Sequence, residues 1–248
     1  MSGSGVSLGP ADPLPGYWLL DGDLTTFADF SRHRRNTTGL GVLNIIEFNE
    51  AVVRLWDRRN ASSYRRIVLP AGFMRPKLAL PLRGFAPDYL NLGAFEFASR
   101  RFREALAQPD NVVQFFPVEV TRGGRRARDQ DYHLMRVLID YSAADLAHSK
   151  GKLGTATDWL TGEQFTKFSF LDRMVLRQDF SPPAEVFEVR EYSIDTLVSD
   201  AVARRVLHAE CTGVEFPDPG NPRSPDPRGF RRYRIWDGIL ERRIYEID

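Results

Sequence analysis

FASRRFREALAQPDNVVQFFP at residues 97–117 and LVSDAVARRVLHAECTGVEFP at residues 197–217 align without a gap at a constant offset of 100. Ser99 falls on Ser199, Phe116 on Phe216 and Pro117 on Pro217, three identities in twenty-one positions. The argument therefore rests on order rather than identity. Each segment sets a serine before an amphipathic run and closes on a Phe-Pro strand. A serine there can cap a helix, because its hydroxyl accepts from an amide of the first turn that has no partner within the helix. Ala98, Phe102, Ala105 and Leu106 share one face, with Arg100, Arg103 and Glu104 turned away, and Val198, Val202 and Val206 repeat that face. The pattern predicts a duplicated strand-helix-strand unit in an α+β fold with mostly antiparallel sheet.

Outward from the first segment, NVVQFFPVEV (111–120) reads as a strand and RGGRRARDQ (122–130) as a turn. YHLMRVLID (132–140) is apolar at odd and even positions alike, which places it in the centre of a sheet. Residues 167–176 and 184–192 supply further strands. Towards the N-terminus, 17–21, 42–48, 65–70 and 77–82 read as strands, and 24–35 and 50–59 as helices. The second of these helices carries β-branched residues that also suit a strand. Residues 1–16, rich in Gly, Ser and Pro, form a flexible lead-in to an N-terminal α+β part at 17–84. Beyond 85–217, which contains both aligned segments, DPGNPRSPDPRG (218–229) is a linker and 230–248 a β-hairpin around Asp237-Gly238.

The 248 residues are enough to bury a core unaided, and 34 Lys and Arg against 33 Asp and Glu leave no net field to gather a polyanion. Nucleic acid is therefore a poor default partner. One cysteine, Cys211, suits a reducing compartment, which points to the cytoplasm, and no stretch approaches the length of a bilayer span.

Residues with chemical potential do not fall into a catalytic pattern. His33, His133, His148 and His208 lack a second ligand at metal-site spacing. Asp145, His148 and Ser149 superficially suggest a hydrolase triad, but sequence neighbours rarely converge in that geometry, and no nucleophile elbow surrounds the serine. Cys211 reads as a small buried apolar residue rather than a thiolate. SKGKLGTATDW (149–159) lacks the order of a phosphate loop, and the pairs Asp21 with Asp23 and Asp195 with Asp200 read as turn and helix-start residues. FRRYRIWDG (230–238) interleaves arginines with aromatics, which suits stacked bases, a protected edge hairpin or a protein interface. No catalytic, cofactor-binding or metal-ligating residue is assigned.

The central and C-terminal segments resemble a bacterial immunity-protein family of polymorphic toxin systems, over about residues 85–217. The residues carrying the likeness are Asp88-Tyr89-Leu90, Ser99, Phe115-Phe116-Pro117, Tyr132 to Asp140 with Asp145 and Ser149, then Phe187, Ser199, Gly213 and Phe216. The resemblance implies a protein encoded beside a toxin gene that binds the cognate toxin and blocks it, with no catalytic residues to carry over. The expected function is a cytoplasmic antitoxin acting by stoichiometric occlusion. Asp158 and Trp159, in a polar loop between the aligned segments, and Arg232, Tyr233 and Trp236 in the terminal hairpin are the partner-binding candidates, chosen by residue type and position. The rival readings are a hydrolase or transferase whose site is assembled from distant residues, and a nucleic-acid-binding module using the basic hairpin.

Overall fold

The computed structural model describes residues 17–22, 41–59, 67–80, 86–92, 95–127, 130–157, 162–216, 231–236 and 241–246. In chain order these form β1 (Tyr17–Gly22), β2 (Gly41–Val42), α1 (Ile45–Arg59), β3 (Lys77–Leu80), β4 (Tyr89–Asn91), β5 (Glu96–Ser99) and α2 (Arg100–Leu106). Next come β6 (Val113–Pro117), β7 (Glu119–Arg122), β8 (Arg125–Arg126), β9 (Tyr132–Val137), β10 (Asp140–Tyr141), β11 (Lys150–Thr157) and β12 (Gln164–Arg173). The chain continues through β13 (Val186–Val189), β14 (Tyr192–Ser199), α3 (Asp200–His208), β15 (Val214–Glu215), β16 (Arg231–Trp236) and β17 (Glu241–Glu246). The fold is α+β. Its sheets are mostly antiparallel, with β3–β7 and β10–β13 pairing in parallel.

Both serines end a strand and begin a helix. The Ser99 hydroxyl accepts from the Phe102 amide and that of Ser199 from the Val202 amide, so each satisfies one first-turn donor. Ala98 and Val198, expected on the helix faces, lie instead on β5 and β14, one residue before the cap. They stay on the buried side because the strand's last inward position runs directly into the helix's apolar stripe.

The likeness extends further than the aligned segments. An antiparallel hairpin leads into each helix, β4 with β5 and β13 with β14, and the same residue position pairs across each: Tyr89 with Ala98, Val186 with Val198. A third strand then lies against each cap strand. In the first unit it is β9, with Tyr132 opposite Ser99, and in the second it is β1, with Tyr17 opposite Ser199. The sheets consequently run β4-β5-β9-β6 and β13-β14-β1-β15, the second extended by β10. The strand that precedes the first unit completes the sheet of the second, and the strand between the units completes the sheet of the first.

Alternation along these strands sorts side chains into three cores. Trp18, Ala98, Met135, Val186 and Val198 point towards α2 and α3 and pack with Phe102, Leu106, Val202 and Val206. Phe97, Phe116 and Leu134 face the other way, onto α1 and the sheet β2-β3-β7-β8, through Phe48, Leu78 and Val120. Leu19, Phe187 and Leu197 meet Ala143, Phe168 and Met174. Each fully buried side chain of this size contributes roughly 1.5–3 kcal/mol.

Three strand assignments and one loop reading from sequence need correction. Residues 42–48 are not one strand: β2 stops at Val42 and α1 starts at Ile45. Asn44 separates them, its carbonyl accepting from Phe48 as the helix begins while its side chain bonds Arg75 and Lys77. Residues 67–70 carry no strand pairing; the Gln114 amide group bonds both main-chain groups of Leu69 in place of a ladder. The run 111–120 breaks at Val118, sending β6 and β7 into different sheets. The polar stretch beginning at residue 149 is a strand, because β12 supplies the partner that its composition does not announce. β9 lies between β5 and β6, as its two-sided apolar pattern requires. The terminal hairpin pairs from Trp236 with Glu241, leaving four residues between its strands rather than two. The helix read at 24–35 lies outside the described residues.

Candidate functional site

Several of the residues that carry the family likeness converge on the joint between the units. Asp88 is buried, and its carboxylate accepts from the Ser99 hydroxyl at 2.7 Å, the Thr212 amide at 3.0 Å and the Thr212 hydroxyl at 2.9 Å. The Ser99 amide donates to the Asp88 carbonyl, and the Tyr89 amide to the Thr212 carbonyl. Gly213 passes so close that a Cβ there would lie 2.5 Å from Pro87 and from the Tyr89 carbonyl, and its φ of +78° also favours glycine. Tyr89 stacks on Phe102 with ring centroids 5.0 Å apart. Tyr132 donates its hydroxyl to the Pro87 carbonyl, and burial raises its pKa. These residues build the fold and offer no open chemistry.

The candidate nucleophiles are likewise engaged. Ser149 Oγ donates to the Val175 carbonyl and accepts from the Val175 amide. Asp145 and His148 do meet, at 2.7 Å, and this bond, with the amides of Ala147 and His148, holds the Asp145 carboxyl below its ordinary range. The Asp145 carboxylate thereby closes the turn at 146–148. Burial, with Asp88 nearby, pushes the Cys211 thiol up to about 12, so at neutral pH it carries a proton. His133 is buried beside Arg103, which donates to its Nε2 at 3.2 Å, and burial lowers its pKa. Among the described residues no cluster of His, Cys, Asp and Glu could hold a metal, and no helix is long and apolar enough to cross a membrane.

What remains is surface. Among the described residues β11 and β12 pair only with each other, as a long two-stranded arm. Its root is fixed by buried Phe168, whose amide donates to the Glu191 carbonyl, while Leu153 and Phe170 are 50% and 57% exposed. At the foot of the arm opens a concavity of about 930 Å³. One wall is the turn after β10, held by Glu191, whose carboxylate accepts from the Ser142 hydroxyl and the amides of Ala143 and Ala144. The other wall is the segment following β12, joined to the first by the Ala144–Leu176 bridge. Sequence reasoning missed this place. Apart from Glu191 its residues fall in two short runs, but nothing in either run announces that they face each other.

Of the partner-binding candidates, Asp158 and Trp159 lie outside the described residues, in the connection between β11 and β12. Arg232, Tyr233 and Trp236 lie on β16, opposite Tyr245, Ile244 and Glu241.

Residues 74–221, well over half of the chain, match the model of a family described as "Immunity protein family (Imm11)". No curated protein matches the chain.

Proposed function

The chain belongs to that immunity family, and from this premise we propose that it binds a cognate bacterial toxin and neutralises it by stoichiometric occlusion, in the cytoplasm of the producing cell, as part of a polymorphic toxin system. The observation that carries the reading is the extent of the family match, which takes in both capped units and the arm. The engaged state of Ser149, Asp145 and Cys211 supports a role performed by surface rather than by a nucleophile. A specific interface of this kind buries about 1,600 Å² in total, with a few aromatic and arginine anchors dominating its energy. Asp158 and Trp159, together with Arg232, Tyr233 and Trp236 on β16, are the anchors we propose.

The test is titration of a fixed amount of the toxin encoded beside this chain with purified protein. Occlusion predicts inhibition that saturates near one equivalent. Progressive loss of toxicity at substoichiometric protein means that the chain modifies the toxin or its product, and refutes the reading.

A further inference from the structure

Independently of the immunity reading, we propose that the outer edge of β11 is an interface with a second copy of this chain, the two strands pairing antiparallel about a twofold axis at Leu153. A sheet edge with unpaired amides and carbonyls is a template for another strand, and natural proteins blunt such edges with prolines, bulges, charge or short length. β11 is eight residues long, contains no proline, and exposes six of those residues. The two register shifts of the arm skip residues on β12 and none on β11, so β11 itself stays regular. Among the described residues the main chain of β11 bonds only to β12, whereas β12 also reaches the body of the fold, through the Phe168 amide and the Glu191 carbonyl.

The side chains along this edge choose both the partner and the register. A twofold perpendicular to the sheet sets opposite one another residues whose side chains leave the same face. Centred on Leu153, it places Leu153 against Leu153 of the second copy, Lys152 against Gly154 and Lys150 against Ala156. The half-exposed leucine meets its own kind, and each lysine meets a small uncharged residue. Gly154 has open space where a Cβ would stand, which leaves room for the apolar stem of a lysine lying across it. A twofold at Lys152 sets lysine directly against lysine, as does parallel pairing in register, and like charges so placed are destabilising. A twofold at Gly154 avoids that clash but leaves each leucine opposite Thr155.

The product is one four-stranded sheet in the order β12-β11-β11-β12 in place of two isolated ribbons, which are marginal in water on their own. A foreign strand fits the same backbone groups, but this edge is its own complement, and self-complementarity is the signature of a twofold interface. An edge of this length buries less than the standard interface of about 1,600 Å², so the association is weak and depends on concentration.

Sedimentation velocity on the full chain, over a wide range of concentration, should show reversible passage from 28.3 kDa to twice that mass. Lys152 of each copy lies diagonal to the other across the axis, so added salt should tighten the dimer. Leu153→Glu and Leu153→Lys should each weaken it at least tenfold, because each sets like charges opposite one another. An equimolar mixture of the two variants should associate again, since opposite charges then face across the axis. Should those variants fold poorly, Leu153→Cys reads the same contact: on oxidation it should give a disulfide-linked dimer, whereas Thr157→Cys should not, because position 157 faces position 149. Cys211 is buried and stays silent in this measurement. A chain that is monomeric at every concentration overturns the proposal, even if Leu153→Glu then impairs toxin binding, which assigns the edge to the toxin. A dimer indifferent to Leu153→Glu, or a mixture that fails to associate, overturns this edge and register. None of the mass measurements involves a toxin, so their failure leaves the immunity reading standing.

Discussion

The two capped units share a backbone plan and differ in the chemistry of the joint. In each, the serine amide donates to the carbonyl of an acidic residue and the serine hydroxyl donates to that residue's carboxylate: Asp88 for Ser99, Glu185 for Ser199. Asp88 is buried and ties its unit to Thr212 of the other, while Glu185 is partly exposed and held by Arg205 and Gln108, with the Arg205 bond depressing its pKa most. One position therefore serves as a buried clasp in the first unit and as a surface ion pair in the second. The difference teaches that cap geometry and strand register set the shape, whereas burial decides what the acid contributes. The likeness supports our proposal that the units are copies of one ancestor.

The largest expected effect tests whether the units share one core. Phe102 and Val202 are both fully buried in it, so Phe102→Asp and Val202→Asp should each destabilise by about 4–5 kcal/mol and unfold the whole molecule. Chemical denaturation followed by circular dichroism reads this, and a wild-type transition in either variant breaks the comparison. Next is Gly213, which falls on Val113 at the offset of 100. Gly213→Val should cost about 3 kcal/mol through clash and backbone strain, while Gly124→Ala, with φ of +79° but open space around it, should cost about 1 kcal/mol. Equal melting shifts would mean that the close approach to Pro87 is not rigid.

Smaller effects sharpen the contrast between clasp and ion pair. Asp88→Asn should lose about 2 kcal/mol, since a buried carboxylate that accepts from three donors becomes an amide that is in part a donor itself. Glu185→Gln should lose less than about 1 kcal/mol, because solvent screens that pair. A larger loss at Glu185 would reverse the assignment. Ser99→Ala and Ser199→Ala should each cost about 1 kcal/mol, measured as shifts in denaturation midpoint. The smallest effect is in pH. Ala98 faces His133 where Val198 faces Trp18, so only the first unit titrates at this position. Burial disfavours the charged ring of His133, so the unfolded chain binds a proton more readily, and stability should decline as pH falls below about 6.5. His133→Phe should flatten that slope, and an unchanged slope would place its origin elsewhere.

Much of this plan was legible because it is local. A cap needs a serine and an amide three residues on, and a central strand needs apolar residues on both faces. Ser99, Ser199 and Tyr132–Val137 carry those signals within a single turn or strand. The exchange of β1 and β9 was not read, since pairing Tyr17 with Ser199 depends on register between distant segments, and alternation alone does not encode it. A faint signal existed: YWLLDG at 17–22 and YHLMRV at 132–137 share Tyr and Leu at their first and third positions. The arm was hidden for the opposite reason. KGKLGTAT at 150–157 has little apolar content, and only its partner strand makes it regular. The concavity was illegible because Arg173 and Arg177 become neighbours of His148 and Ser142 only through chain crossings that neither run encodes.

The exchanged strands also bear on timing during synthesis. β1 leaves the ribosome first, yet its partners, Thr196 to Ser199 on β14 and Val214 and Glu215 on β15, are translated almost two hundred residues later. Until then the N-terminal strand has no ladder to join. Contacts this distant along the chain slow folding, and at bacterial elongation rates of about 5–20 residues per second the wait lasts on the order of ten seconds or more. A nascent chain stopped before β15 cannot assemble this fold, so the cell gains a competent molecule only once translation has passed the second unit.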